Sequence, residues 1–257
     1  MSSISRRSML EKSVSAAGAS LFGLPLAARA RGADSTAEPR KLKVIVVGGH
    51  PDDPESGCGG TMALYASLGH EVVALYLTRG EAGIPGKTHE QAATIRTSEC
   101  LRACEILKSR AVFAGQIDGA TEVNSARYAG FREILESERP DIVYTHWPVD
   151  THPDHRAASL LAYDAWLRGG RKFALFYFEV MSGSQTQNFS PSHYVDITSM
   201  ESLKRAACFA HSSQNPAEFY AEHDVMNRFR GMESGVKFAE GFVEHVQSFV
   251  RVPVEGI

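Results

Sequence analysis

Cysteine is scarce in this sequence, four in 257 residues, and no two of them form a C-x-x-C pair. Cys58, Cys100, Cys104 and Cys208 therefore carry no zinc-ribbon or thioredoxin-like signature. Cys100 and Cys104 stand four apart in a stretch of helical spacing and share a face. Buried free thiols are the common state of such residues, and that is the expectation here. An excess of positive charge is also missing. The formal net charge is -3 and the pI is near 6.4, so no basic patch points to a nucleic-acid partner. No apolar run reaches the ~20 residues that a membrane-spanning helix needs, and the run from Ser13 to Ala28 is interrupted by Gly23 and Pro25. There is no internal repeat, which excludes a solenoid or propeller. What remains is ordinary globular composition, 43% hydrophobic and 22% charged. That is enough for one α/β domain without disulfide staples.

The first thirty residues do not read as part of a fold. Ser5-Arg6-Arg7-Ser8-Met9-Leu10 resembles the twin-arginine export consensus, Lys12 and the apolar run follow, and Ala28-Arg29-Ala30 offers an A-x-A cleavage site. Residues 1–30 are expected to be a signal peptide, 31–41 a polar linker and 42–257 the folded domain. The destination is then the periplasm or the outside. No cysteine follows the run, so no lipid or membrane anchor is expected.

Beyond the linker, strand-like and helix-like segments alternate. Leu42–Gly49 is a near-continuous apolar run, the mark of a strand buried on both faces. A glycine-rich turn and a short helix around Thr61–Leu68 come next, then a strand at Glu71–Thr78 and a helix at His89–Lys108. Ala111–Ala114 reads as a strand, Asn124–Ser137 as a helix, Asp141–His146 as a strand and Pro153–Leu167 as a helix. Strands at Phe173–Val180 and His193–Ile197 precede helices at Met200–Ala210 and Pro216–Arg230, and Phe242–Val250 fits either state. This alternation predicts a Rossmann-like α/β fold, a mostly parallel sheet with helices on both faces. Ligands in such sheets sit beyond the carboxyl ends of the strands, where the strand order reverses.

Two motifs fall at strand ends. Gly49-His50-Pro51-Asp52-Asp53-Pro54-Glu55 closes the first strand, and Thr151-His152-Pro153-Asp154-His155 follows the fourth. A turn histidine and a helix cap would account for one of these residues at a time. They do not account for His and Asp grouped at two strand ends that this topology brings together. Zinc-like metals take neutral imidazole and carboxylate, commonly three protein ligands and an open position for water. Gly57-Cys58-Gly59-Gly60 is not G-x-G-x-x-G, and the second strand ends in Thr78-Arg79 rather than an acidic ribose binder, which argues against a dinucleotide site. Those glycines are expected to make a tight turn and let the next helix approach the sheet.

The stretch His50-Pro51-Asp52-Asp53-Pro54-Glu55-Ser56-Gly57-Cys58-Gly59-Gly60-Thr61 and the later His152-Pro153-Asp154-His155 closely resemble the PIG-L / LmbE-like de-N-acetylases. These are zinc enzymes that remove acetyl groups from N-acetylglucosaminyl compounds. Supporting matches run from Thr78 to Gly83, from Arg96 to Glu99, at Asp118-Gly119 and from Ala210 to Gln214, so the likeness covers roughly residues 42–215. The resemblance implies His50, Asp53 and His155 as ligands of Zn2+ or another divalent metal, and Asp52 as general base. It implies His152 as the protonated stabiliser of the oxyanion, Asp154 as the residue that orients His152, and Arg96 and Asp118 as sugar contacts. Asp150 stands where the mycothiol branch has a tyrosine, which brings the sequence nearer the bacillithiol-type branch. The implied substrate is a small molecule or glycan, and a homo-oligomer is left open. Two other readings remain at this stage, a hydrolase of another small amide and a non-catalytic glycan-binding protein.

Overall fold

Residues of strand β1 (Lys43–Gly48) alternate between two apolar layers. Val44 and Val46 pack into one layer, Ile45 and Val47 into the other. A parallel strand buried on both faces needs helices on both sides. The computed structural model describes residues 40–247, and over these the chain supplies them. After β1 come α1 (Asp53–Ser67), β2 (Glu71–Tyr76), α2 (His89–Leu107), β3 (Arg110–Phe113), α3 (Ser125–Glu138) and β4 (Ile142–His146). Then follow α4 (Pro153–Arg168), β5 (Ala174–Phe178), β6 (His193–Asp196), α5 (Glu201–Phe209), α6 (Pro216–Ser234) and β7 (Ala239–Glu244). Met62 of α1, Cys100 of α2 and Ala207 of α5 fill one layer. Leu135 of α3 with Leu161 and Trp166 of α4 fill the other.

The sheet runs β3-β2-β1-β4-β5-β7-β6. Strands β1 to β5 pair in parallel, while β7 runs antiparallel to both β5 and β6. This is the Rossmann-like, mostly parallel α/β sheet that the alternation predicts. The chain builds outward from β1 through β2 to β3 and then crosses back to β4. The order therefore reverses between β1 and β4, the crevice in which such sheets hold ligands. Sequence-local signals set the helix starts. Thr88, for example, opens α2 with a reciprocal pair, its hydroxyl accepting the Gln91 N–H at 3.2 Å while the Gln91 side chain accepts the Thr88 N–H at 3.1 Å.

The structure corrects the sequence reading at α1. The expected glycine-rich turn with a short helix at Thr61–Leu68 is one helix that begins at Asp53, and Gly57, Gly59 and Gly60 lie inside it. Their role is close approach. A Cβ at Gly57 would stand 2.4 Å from the Phe178 ring and one at Gly60 2.5 Å from Ile197. Apolar periodicity fails here because the helix is buried on nearly every side, which leaves no polar face to mark the period. At the middle of α1 the Glu240 carboxylate accepts the N–H groups of Gly60 (2.9 Å) and Thr61 (2.8 Å) and pairs with buried Lys204 at 2.7 Å. The ambiguous stretch Phe242–Val250 resolves in part as the end of β7, and its last three residues lie outside the described ones.

All four cysteines are buried and unpaired, as expected. Among the described residues no helix is long and apolar enough to cross a membrane. The expected signal peptide lies outside the described residues. So does the linker, apart from Lys41 and Arg40, whose guanidinium donates to the Asp141 carboxylate.

Candidate active site and metal centre

Strand β1 ends in a tight turn that sets two adjacent carboxylates apart. The His50 N–H donates to Asp53 Oδ2 at 2.7 Å, and Asp52 sits at φ 117° in the left-handed region. A non-glycine residue held there costs about 1–3 kcal/mol, and such strain clusters at functional sites. The turn brings Asp53 against β4 and α4, with His146 Nε2 and His155 Nε2 each 3.3 Å from its oxygens. The Asp52 carboxylate meets α2 instead, where Arg96 Nη2 donates to it at 2.9 Å.

From the other side of the crevice, His152 opens α4 as its cap, its Nδ1 accepting the Asp154 N–H at 3.3 Å. A neutral imidazole whose Nδ1 accepts carries its proton on Nε2. His155 donates its Nδ1–H to buried Asp150 at 3.1 Å, which leaves Nε2 facing Asp53. Asp150 also accepts the His152 N–H at 2.8 Å and the Thr186 hydroxyl at 3.0 Å. His50 lies between carboxylates: Nδ1 is 3.3 Å from Asp53, and Nε2 is 3.0 Å from Asp154 and 3.3 Å from Asp118. Asp154 is held in turn by the Gly119 N–H at 2.8 Å and the Thr121 hydroxyl at 2.6 Å.

The residues singled out in the sequence thus converge. His50, Asp52, Asp53, Arg96, Asp118, His152 and His155 line one cavity of about 490 Å³, and Asp154 is buried against His50. Two contacts differ from expectation. The Asp154 carboxylate pairs with His50 rather than His152, because the α4 start gives His152 only the Asp154 backbone N–H. Arg96, expected on the sugar, is almost wholly buried and gives its guanidinium to Asp52 and the Pro51 carbonyl. His146 was missed. Its Nε2 accepts the Gly49 N–H at 3.1 Å and its ring stacks on His155 with centroids 4.0 Å apart. The available signal was a polar pair, Thr145-His146, closing an otherwise apolar strand.

Burial alone would neutralise every group here, so the direction of each shift shows which neighbours win. For Asp53, burial is outweighed by the charges of His155 and His146, and its carboxyl falls well below the usual range. For His50, burial is outweighed by Asp118, Asp154 and Asp53, and the imidazole rises well above its ordinary value. His155 goes the same way through Asp53 and Asp150, up to about 9. His146 falls to about 4, by burial and then by the charge of His155. His152 is lowered by burial and then by His50 and His155, so its surroundings favour the neutral ring over the protonated one the resemblance implies. Asp52 is raised by burial, with the Arg96 cation opposing.

This field favours positive charge at its centre, and the donor set fits a divalent cation. Nitrogens of His50, His152 and His155 lie within 4.8 Å of one another, as do donor atoms of Asp53, His146 and His155. Asp150 behind His155 and Asp154 behind His50 hold the far ring nitrogens, the arrangement that orients imidazole ligands and fixes their tautomer. Fold and site together define a Rossmann-like α/β protein whose switch-point crevice holds an imidazole–carboxylate centre able to take a metal ion.

Comparison with known proteins narrows the class. The family model for PIG-L, GlcNAc-PI de-N-acetylase, matches residues 45–166, a span that contains both motifs. The diacetylchitobiose deacetylase of Thermococcus kodakarensis is 30% identical over 219 residues, covering 77% of this chain and 81% of that protein. The crystal structure of N,N'-diacetylchitobiose deacetylase from Pyrococcus horikoshii has a TM-score of 0.70 at 25% identity, over 79% of this chain and 84% of that one. GalB, the 4-carboxy-2-hydroxymuconate hydratase of Pseudomonas putida KT2440, reaches 0.71 at 22% identity, over 82% of this chain and 98% of that one, a likeness of fold alone. The chain belongs to the PIG-L de-N-acetylase family.

Proposed function

We propose that this protein is a zinc-dependent hydrolase that removes the acetyl group from an N-acetylated amino sugar or its conjugate. The observation that carries the reading is the pairing, in one cavity, of a cation-binding donor set with a separate carboxylate, Asp52, that is turned to Arg96. His50, Asp53 and His155 would hold the metal, with His146 behind them accepting the Gly49 amide. A bound divalent metal lowers the pKa of water from about 15.7 to about 7 and polarises a carbonyl. Asp52 takes the proton of the attacking water, held in line by Arg96. His152, neutral with its proton on Nε2, donates to the oxygen that gains charge, and one such donor is typically worth about 3–4 kcal/mol. The protonated Asp52 then passes its proton to the leaving amine.

Acetate release by metal-replete protein from N-acetylglucosamine, chito-oligosaccharides and muropeptides tests the reading. Release from at least one is expected. Binding without release from any would favour a non-catalytic glycan-binding protein. The resemblance of residues 1–30 to a twin-arginine signal supports export to the periplasm or beyond, and with it a cell-wall or extracellular amino-sugar conjugate as substrate. Changing Arg6 and Arg7 to Lys should retain the precursor in the cytoplasm. An exported protein whose N-terminus is still Met1 would contradict cleavage after Ala30.

A further inference from the structure

A second cavity, of about 580 Å³, adjoins the first, and one loop walls the two apart. Met181 and Gln185 of this loop line the active-site cavity, whereas Ser182, Gly183 and Gln187 line the other. Helix α6 does the same one turn apart, with His223 on the first cavity and Met226 on the second. The wall is tied at several points. The N–H groups of Ser184 and Gln185 donate to the Met181 carbonyl at 3.1 and 2.8 Å. The Ser182 N–H meets the Met226 sulfur at 3.2 Å, and Thr186 is anchored on Asp150.

The lining has a definite chemistry. Phe189 and Phe229 supply aromatic surface, and Phe229 is 51% exposed. Arg230 lies over both rings, 5.7 and 5.4 Å from their centroids. Its charge is already answered by Glu179 at 2.6 and 2.9 Å and by Glu233 at 2.7 Å. Arg230 is thus outnumbered by carboxylates, and the cavity offers no free cation to an anionic ligand. The exposed side-chain amides of Gln187 and Asn188 make no hydrogen bond among the described residues. A pyranose ring presents an apolar C–H face bordered by hydroxyls. Aromatic surface with free amides and no free cation is the complement of such a ring.

We propose that the second cavity is a subsite for a further neutral sugar unit of the same substrate, so that the protein acts on an oligosaccharide in preference to a single amino sugar. This rests on the deacetylase reading of the first cavity. The test measures acetate release from N-acetylglucosamine and from its tetramer, with calorimetric titration of the same sugars, on wild type, Phe229→Ala and Gln187→Ala. The tetramer should have the higher kcat/KM and the tighter binding in the wild type. Phe229→Ala should lower both about three- to tenfold for the tetramer and leave the monomer unchanged. Equal efficiency on both sugars, with acetate released, overturns the subsite and leaves the deacetylase reading intact. A Phe229→Ala variant that changes oligomeric state in light scattering but not the dependence on chain length also overturns it, and assigns the surface to a contact between copies. If the wild type releases no acetate from either sugar, the deacetylase reading fails for these substrates. Calorimetry then decides the subsite alone: tetramer binding weakened by Phe229→Ala upholds it, and none overturns it.

Discussion

Two neighbouring carboxylates in one turn have opposite surroundings, and the proposed mechanism gives them different tasks. Asp53 faces imidazoles and has its pKa lowered, whereas Asp52 is half-buried against the Arg96 guanidinium and has its pKa raised, by desolvation first. Asp52→Asn should keep its metal, by elemental analysis, and lose at least about a hundredfold in kcat; Asp53→Ala should lose the metal itself. In the proposed mechanism Asp52 acts ionised, so its protonation sets an acidic limb of the rate profile. The Arg96 cation pulls that pKa down, so Arg96→Gln should move the limb to higher pH. A limb that stays in place or moves down would show that Arg96 does not act through Asp52. At this scale the sequence was informative about membership of the site and poor about partners. Residue types at two strand ends brought His50, Asp53 and His155 to notice. Which nitrogen of His50 meets Asp154, or that Arg96 pairs with Asp52, depends on ring orientation and on a helix forty residues away.

Helix α1 shows where local propensity misleads. Three glycines in four positions read as a turn, yet tertiary contact makes them a helix pressed onto β5 and the segment after β6. Replacing a helix-interior glycine by alanine ordinarily gains about 1 kcal/mol. Gly57→Ala should do the opposite, because its Cβ would lie 2.4 Å from the Phe178 ring. A lowered Tm, with the far-ultraviolet signal retained, is the expected result, and a raised Tm would mean that α1 stands further from the sheet. Elements with an apolar face, such as α2 and α4, were legible because solvent on one side writes a period into the sequence. An element enclosed on all sides carries no such record.

For the molecule as a whole, a buried neutral histidine ties stability to pH. His223 is 2% exposed and is lowered to about 3, by burial and then by the Lys204 cation. The unfolded chain takes that proton below about 6.5, so it binds more protons than the folded one as pH falls from there. Stability should therefore decline between about pH 6.5 and 3, by up to about 1.4 kcal/mol per pH unit from this residue. His223→Gln should show a shallower fall of Tm with acid than the wild type, and parallel curves would remove His223 from the account. The doubly wound topology was legible as far as β5, since strands and helices alternate from Lys43 to Phe178 even where the limits of α1 were not. It is this topology that brings residues about a hundred positions apart into one centre.

Titrating zinc into chelator-stripped protein while following acetate release tests the central claim most directly. The account predicts negligible release without metal, a linear rise, and saturation at one equivalent per chain, with no rise in Asp53→Ala. Full activity in the stripped protein, or a rate indifferent to added metal, would contradict it.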